Sequence, residues 1–135
     1  VCWGTGNPFR EFLHVEDFGF ACIKALEKWN PDYKNSPKDK NGKKLYYLNV
    51  GSNEEISIKE LALKIAKLTN YNGEVIWDRT KPDGTFRKII DSSRIKKFGW
   101  EPKISLSVGI KKVIHEIENS LNDKYDLGKS IKNFF

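Results

Sequence analysis

The sequence predicts an α/β domain in which short strands alternate with amphipathic helices. Its helical stretches carry apolar residues every three or four positions, and short runs rich in β-branched and aromatic residues stand between them. With 135 residues and 39% hydrophobic composition, the chain is long enough to form one compact domain with a core. No apolar run reaches the roughly 18 residues that a membrane span needs.

The first half of the chain predicts two strands, a helix and a loop. Residues 11–15 form a short apolar run that favours a buried strand, and residues 18–29 repeat apolar side chains at helical spacing up to an Asn-Pro stop. Residues 30–44 are polar and contain Pro, Asn and Gly, which indicates an exposed, mobile loop. Residues 45–50 predict a second strand, which ends at a Gly-Ser-Asn turn.

The second half predicts three helices and one more strand. Ser57 and Glu60 have the spacing of a capping box, followed by a helix with one apolar face. An Asn-Gly turn leads to a strand at residues 74–78. Residues 91–99 predict a brief helix closed by a glycine, and Ser105 begins the last helix.

Composition excludes several classes of function. The net charge is +6, from 24 Lys and Arg against 18 Asp and Glu, but the lysines are scattered, which favours a solvated surface over nucleic-acid binding. Cys2 and Cys22 lack metal-ligand spacing, so we expect unreactive thiols in a reducing cytoplasm and neither a zinc site nor a disulfide.

The sequence contains no Met. We therefore expect it to be a fragment of a longer protein.

No residue of the chain is expected to be catalytic. The Gly4-Thr-Gly6 turn lacks the preceding strand, the following helix and the third glycine of a dinucleotide fingerprint. His14 lies within the predicted strand at residues 11–15, where a structural imidazole is the expected role, and His115 lies on a helix surface.

The glycine turn (residues 3–10) is the first candidate for ligand binding. Trp3 and Arg10 flank a Gly/Pro segment that brings backbone and side chains close to a ligand. Its rigidity would hold an aromatic ring and a guanidinium in place.

The cationic arm (residues 81–88) is the second candidate. A Pro-Asp-Gly turn is framed by cations, and the alternative is an ordinary surface turn. As a binding segment it would carry Arg87 and Lys88 to a phosphate, with Asp83 accepting a hydroxyl.

These segments together resemble the GDP-L-fucose synthases, which belong to the extended short-chain dehydrogenase/reductases that act on nucleotide sugars. The resemblance rests on WGTGNPFREFLHVED, YLNVGSNEEISIKELALKIAKLTNYNGEVIWD, KPDGTFRKIID and FGWEPKISLSVGI, and extends from residue 1 to about residue 118. It implies the carboxy-terminal substrate-binding part of such an enzyme. The Rossmann half, with its NADP site, its Tyr-x-x-x-Lys pair and its epimerising Cys and His, is absent from this sequence.

The resemblance also implies site residues and a reaction. Trp3, Arg10, Asp83 and Lys88 match substrate contacts of the family, and Phe86 stands where the family often has proline. The family converts GDP-4-keto-6-deoxy-D-mannose to GDP-L-fucose by epimerisation at C3 and C5 and reduction of C4 with NADPH. Without the Rossmann half, we expect the 135-residue chain to be inactive by itself.

The implied domain organisation follows the same resemblance. Residues 1–122 would form the nucleotide-sugar-binding domain, residues 1–29 would join the Rossmann domain, and residues 123–135 would be a polar tail. The full-length enzyme would be a cytoplasmic homodimer that binds a GDP-sugar, with no nucleic-acid or membrane partner. Two alternatives stay open: another nucleotide-sugar epimerase or dehydratase, and a non-catalytic basic binding module.

Overall fold

A computed structural model describes the backbone of residues 1–132 and the side chains of residues 1–121. It confirms the predicted α/β class. The described elements are, in order, β1 (Cys2–Trp3), β2 (Phe9–Glu11), α1 (Val15–Lys28), β3 (Glu55–Ser57), α2 (Ile58–Leu68), β4 (Trp77–Asp78), β5 (Arg87–Lys88), α3 (Ser93–Lys96) and α4 (Leu106–Lys132). Helix α4 continues beyond residue 122, through part of the segment predicted to be a polar tail.

The strands form two small sheets. β1 pairs in parallel with β4, whereas β2 is the central strand of the second sheet, antiparallel to β3 and parallel to β5. The glycine turn connects β1 to β2, and the cationic arm connects β4 to β5. Both candidate segments therefore run from the first sheet to the second, which places them side by side.

The strand predicted for residues 11–15 is wrong in its position. The pairing partners of β2 extend only as far as Glu11, so the ladder ends there. His14 has φ −68° and ψ 142° and caps α1, with Nδ1 accepting a hydrogen bond from Glu16 N at 3.3 Å. The structural role predicted for the imidazole is confirmed, but it is the role of a helix cap and not of a strand residue.

The strand predicted for residues 45–50 is also wrong. Leu45 is buried, and Leu48 and Val50 pack against the hydrophobic core without joining a sheet. Burial on the core accounts for the apolar side chains of this run, so its composition did not require strand pairing. The strand predicted for residues 74–78 is confirmed only in its last two residues.

The core lies between α1, α3 and the segment that precedes α4. Ala21 and Ile95 are fully buried and Trp100 nearly so, and these three side chains form one cluster. Asp17 lies in the first turn of α1, where its charge complements the helix dipole, and it has a second role. Its Oδ2 accepts hydrogen bonds from the backbone N–H groups of Lys103 at 3.0 Å and Ile104 at 2.8 Å. The buried carboxylate thus ties α1 to the segment leading into α4.

The predicted capping box is confirmed. Ser57 Oγ accepts a hydrogen bond from Glu60 N at 3.1 Å, and Ser57 N donates to Glu60 Oε2 at 3.0 Å. Because Ser57 is also the last residue of β3, the cap ties the start of α2 to the second sheet.

The loop at residues 30–44 is exposed at most of its positions, as predicted, and has its own local bonding. The Ser36 hydroxyl donates to the Asn30 carbonyl, and Lys44 Nζ lies 2.6 Å from Asp32 Oδ1. An antiparallel bridge between Lys38 and Lys44 closes its second half. The loop therefore has a defined path, which its composition did not predict.

Candidate functional site

The glycine turn is closely packed against its surroundings. Gly6 has φ +75°, and a Cβ placed there would lie 2.6 Å from the Trp77 ring and 2.9 Å from Lys59 Cβ. Only glycine combines that backbone conformation with the absence of a side chain. The turn is therefore held between β4 and α2.

Three backbone amides of the glycine turn are already used within the protein. Gly4 N donates to Asp78 O at 2.9 Å, Thr5 N donates to Asp83 Oδ1 at 2.8 Å, and Asn7 N donates to Thr5 Oγ1 at 3.2 Å. A dinucleotide pyrophosphate needs such amides free to cradle its oxygens. These three amides are therefore not available to such a group.

The cationic arm is docked on the glycine turn. Both oxygens of Asp83 accept hydrogen bonds from Thr5, Oδ1 from the backbone N–H at 2.8 Å and Oδ2 from the hydroxyl at 2.6 Å. These bonds from the Thr5 side chain, and secondarily from its backbone, lower the pKa of Asp83 below its ordinary value. Lys81 Nζ lies 5.6 Å from the centre of the Trp3 ring, a cation–π distance.

The second half of the arm joins the three-stranded sheet. Phe9 N donates to Phe86 O at 2.8 Å, and the two rings meet edge to face with centroids 6.0 Å apart. The residue that departs from the family pattern thus contributes a packing contact. β5 then places Lys88 directly opposite Arg10.

Arg10 and Lys88 form a pair of neighbouring cations. Residues opposite each other in a parallel ladder project to the same face of the sheet, so these two positive side chains share one surface. Arg10 Nη1 donates to Phe9 O at 2.6 Å, and a Cβ placed at Gly84 would lie 3.2 Å from Arg10 Nη2. Neither cation lies within 4.0 Å of a carboxylate among the side chains that the structure describes.

Arg87 lies on the opposite face of the same sheet. It is opposite Phe9 in the ladder, and its guanidinium makes a bidentate contact across β2 with Glu55, at 2.6 and 2.8 Å. The hydrogen bond from Arg87 lowers the pKa of the Glu55 carboxyl. The sequence suggested that Arg87 and Lys88 act together on a phosphate. The structure separates them, and Arg87 holds β5 to β3.

The four predicted site residues lie on two segments that contact each other. Trp3 is 73% exposed and Asp83 and Lys88 are also exposed, whereas Arg10 is half-buried. Asp83 contacts the glycine turn at Thr5, and the backbone of its neighbour Gly84 lies close to the Arg10 guanidinium.

Three residues outside the predicted set hold the arm and the sheet in place: Thr5, Glu55 and Glu11. Glu11 accepts hydrogen bonds from Asn53 N at 3.1 Å and Ile90 N at 3.3 Å, which fixes the chain on both sides of β2. Thr5 and Asp83 are 78 positions apart in sequence, and Glu11 and Ile90 are 79 apart. No local pattern in the sequence indicates partners at such distances.

One concavity, of about 550 Å³, lies between α2, α4 and the start of α1, and another, of about 280 Å³, lies beside α1. Neither is lined by Trp3, Arg10, Asp83 or Lys88. Within the described part of the chain there is no cluster of three potential metal ligands and no helix able to cross a membrane.

Comparisons with known proteins identify the family. No protein-family model matches the chain. Over 110 residues it is 42% identical to GDP-L-fucose synthase 1 of Arabidopsis thaliana, an alignment that covers 82% of this chain and 30% of that enzyme.

Solved structures agree. A GDP-6-OMe-4-keto-L-xylo-heptose reductase from Campylobacter jejuni superposes with a TM-score of 0.75 at 32% identity, covering 87% of this chain and 33% of that one. A GDP-mannoheptose C4 reductase from the same organism, solved with NADP bound, gives a TM-score of 0.68 at 32% identity, covering 86% and 33%. The chain spans about one third of the length of these proteins. It belongs to the extended short-chain dehydrogenase/reductase family, in which it is homologous to part of the GDP-L-fucose synthases.

Proposed function

We propose that the chain is the GDP-sugar-binding part of a GDP-L-fucose synthase, the enzyme that converts GDP-4-keto-6-deoxy-D-mannose to GDP-L-fucose. The observation that carries the proposal is the adjacent pair of cations, Arg10 and Lys88, on one sheet face. Two like charges placed opposite each other in a ladder repel unless an anion lies between them. A diphosphate supplies such an anion, and the GDP-sugar enzymes among the relatives support this choice.

Each site residue has a distinct task in this proposal. Arg10, anchored in the central strand, and Lys88, in the edge strand beside it, bind the diphosphate oxygens. Trp3 presents an exposed ring against which a base or sugar packs. Asp83 retains lone pairs beyond those used by Thr5 and can accept a sugar hydroxyl. None of them performs chemistry; they hold the substrate for groups elsewhere in the enzyme.

The cofactor is proposed to be NADP, bound outside the residues described here. Three amides of the glycine turn are engaged within the protein, which supports a pyrophosphate site elsewhere in the enzyme. NADPH supplies the hydride for reduction at C4 when it is bound to the rest of the enzyme. It follows that the 135-residue chain by itself should show no reductase activity.

We also propose a cytoplasmic, homodimeric full-length enzyme, with Cys2 and Cys22 as free thiols.

A GDP-sugar C4 reductase without epimerase activity is the second candidate. The two Campylobacter jejuni structures favour it, since both are described as reductases of GDP-heptoses. The higher identity to the plant synthase favours the first candidate. Both candidates require the same diphosphate contacts in this chain, so they differ only in chemistry outside it.

Binding of GDP to the full-length protein tests the proposal. Arg10→Ala should weaken GDP binding by about 2–4 kcal/mol, or roughly 30- to 800-fold in Kd, because one charged contact with the diphosphate is lost. In turnover, KM should rise with kcat changed much less, since the diphosphate keeps its charge throughout the reaction. Arg94→Ala removes the same charge from α3 and should leave Kd unchanged. Equal Kd for wild type and Arg10→Ala, measured by calorimetry at fixed ionic strength, would overturn the proposal.

A further inference from the structure

We infer that Thr5 is a positioning residue for the GDP-sugar site: its hydroxyl and amide hold the Asp83 carboxylate, and through it the cationic arm, in the binding conformation. The inference rests on the proposed function and deepens it. Thr5 makes no proposed contact with substrate; it acts through Asp83.

The first half of the cationic arm, which contains Lys81 and Asp83, has few other attachments. All residues from 81 to 90 are exposed, so little buried apolar area holds the segment in place. Among the described residues, the first half is connected to the rest of the protein by the two Thr5–Asp83 hydrogen bonds, by the Lys81–Trp3 contact and by a hydrogen bond from Lys81 N to Asp78 O at 3.3 Å. The second half is held separately, by the pairing of β5 with β2 and by the ion pair between Arg87 and Glu55.

The turn is shaped to receive the carboxylate. Gly4 has φ +79°, and a Cβ there would overlap Asp83 Oδ1. The left-handed conformation at Gly4 directs the next amide, that of Thr5, toward Oδ1, while the hydroxyl reaches Oδ2. A hydroxyl on the residue after a glycine thus completes a two-point contact that the backbone amide alone would leave at one point.

Loss of the Thr5 contact would affect binding by lowering the fraction of molecules in which the arm is docked. If the arm is docked in only a fraction of molecules, the apparent Kd rises by the reciprocal of that fraction. Because Gly84 follows Asp83 and lies against Arg10, loss of the Thr5 contact also releases the neighbourhood of that guanidinium. We expect Thr5→Val, which keeps the shape and the amide but loses the hydroxyl, to raise the Kd for GDP roughly three- to tenfold. Thr5→Ser, which keeps the hydroxyl, should restore it.

The experiment compares four variants of the full-length protein, with GDP as the ligand: Thr5→Val, Thr5→Ser, Arg10→Ala and, as a matched control, Thr69→Val. Thr69 also donates its hydroxyl, to Ile65 O at 2.9 Å at the end of α2, away from the arm. Amide hydrogen exchange over residues 81–90 supplies a readout independent of binding. Faster exchange in Thr5→Val alone, together with its raised Kd and with recovery in Thr5→Ser, is the expected result.

The failures are distinguishable. If Arg10→Ala weakens GDP binding but Thr5→Val leaves both Kd and exchange unchanged, the positioning role is wrong and the proposed function stands. If Thr5→Ser binds as poorly as Thr5→Val, the hydroxyl is not the positioning group. If Arg10→Ala has no effect on Kd, the proposed function fails and the inference fails with it.

Discussion

Asp17→Ala should destabilise the protein strongly, although Asp17 is far from the proposed site. The side chain is only 2% exposed, and its Oδ2 accepts two backbone hydrogen bonds, from Lys103 N and Ile104 N. Alanine would leave both N–H groups without their acceptor in a part-buried position. Hydrogen bonds to a charged acceptor contribute about 1.5–3 kcal/mol each, and two that share one oxygen do not add fully. We therefore expect a loss of about 3–5 kcal/mol in the free energy of unfolding.

Asp17→Asn separates the hydrogen bonds from the charge. The amide oxygen can still accept from both backbone groups, so the loss should fall to about 1–2 kcal/mol. Urea unfolding of the full-length protein, followed by tryptophan fluorescence, measures both variants. Trp100 is a suitable reporter because it is buried in the core and its Nε1 donates to Asp17 O at 3.1 Å.

Glu16→Ala is the matched control. Both acidic residues lie in the first turn of α1 and lose the same favourable interaction with the helix dipole. Glu16, however, is exposed, and among the side chains of residues 1–121 it pairs only with Lys112, at 2.6 Å. Exposed ion pairs contribute little to stability. Glu16→Ala should therefore lower the free energy of unfolding much less than Asp17→Ala. An equal shift of the urea midpoint in Asp17→Ala and Glu16→Ala, at unchanged m-value, would refute the role of the two backbone hydrogen bonds.

Two further predictions concern the glycine turn. Gly6→Ala should lower Tm more than Gly42→Ala. Both glycines have positive φ, +75° and +78°, but a Cβ at Gly6 would overlap the Trp77 ring, whereas a Cβ at Gly42 would point into space free of described atoms within 4 Å. Equal losses would show that crowding plays no part. The second concerns pH. The pKa of Asp83 is lowered from 3.8 in the folded state, so its contribution to docking the arm is present above pH 3.8 and is lost as pH falls through the lower folded value. The Thr5 amide resonance in NMR should report this transition, and a midpoint at or above 3.8 would contradict it.

The sequence determined the helices because helical order is local. Apolar spacing within a dozen residues located α1, α2 and α4. The capping box located the start of α2, because its two residues, Ser57 and Glu60, are only three positions apart in the sequence. Strand prediction failed where pairing with a distant segment decides whether a stretch of chain forms a strand. Residues 45–50 have strand-like composition, but Leu48 and Val50 pack on the core without strand pairing, while the largely polar β3 and β5 form because β2 lies between them.

The candidate site shows the same difference between local features, which the sequence indicates, and long-range contacts, which it does not. Turn residues and cations indicated the glycine turn and the cationic arm, and the motifs they contain indicated the family. Only the tertiary structure decided how the two segments meet. Sequence neighbours Arg87 and Lys88 look equivalent, yet the ladder register sends them to opposite faces, one to Glu55 and the other beside Arg10. The physical reason is that these contacts join residues 32 to 79 positions apart, and their partners are specified by the packing of whole elements rather than by any local pattern.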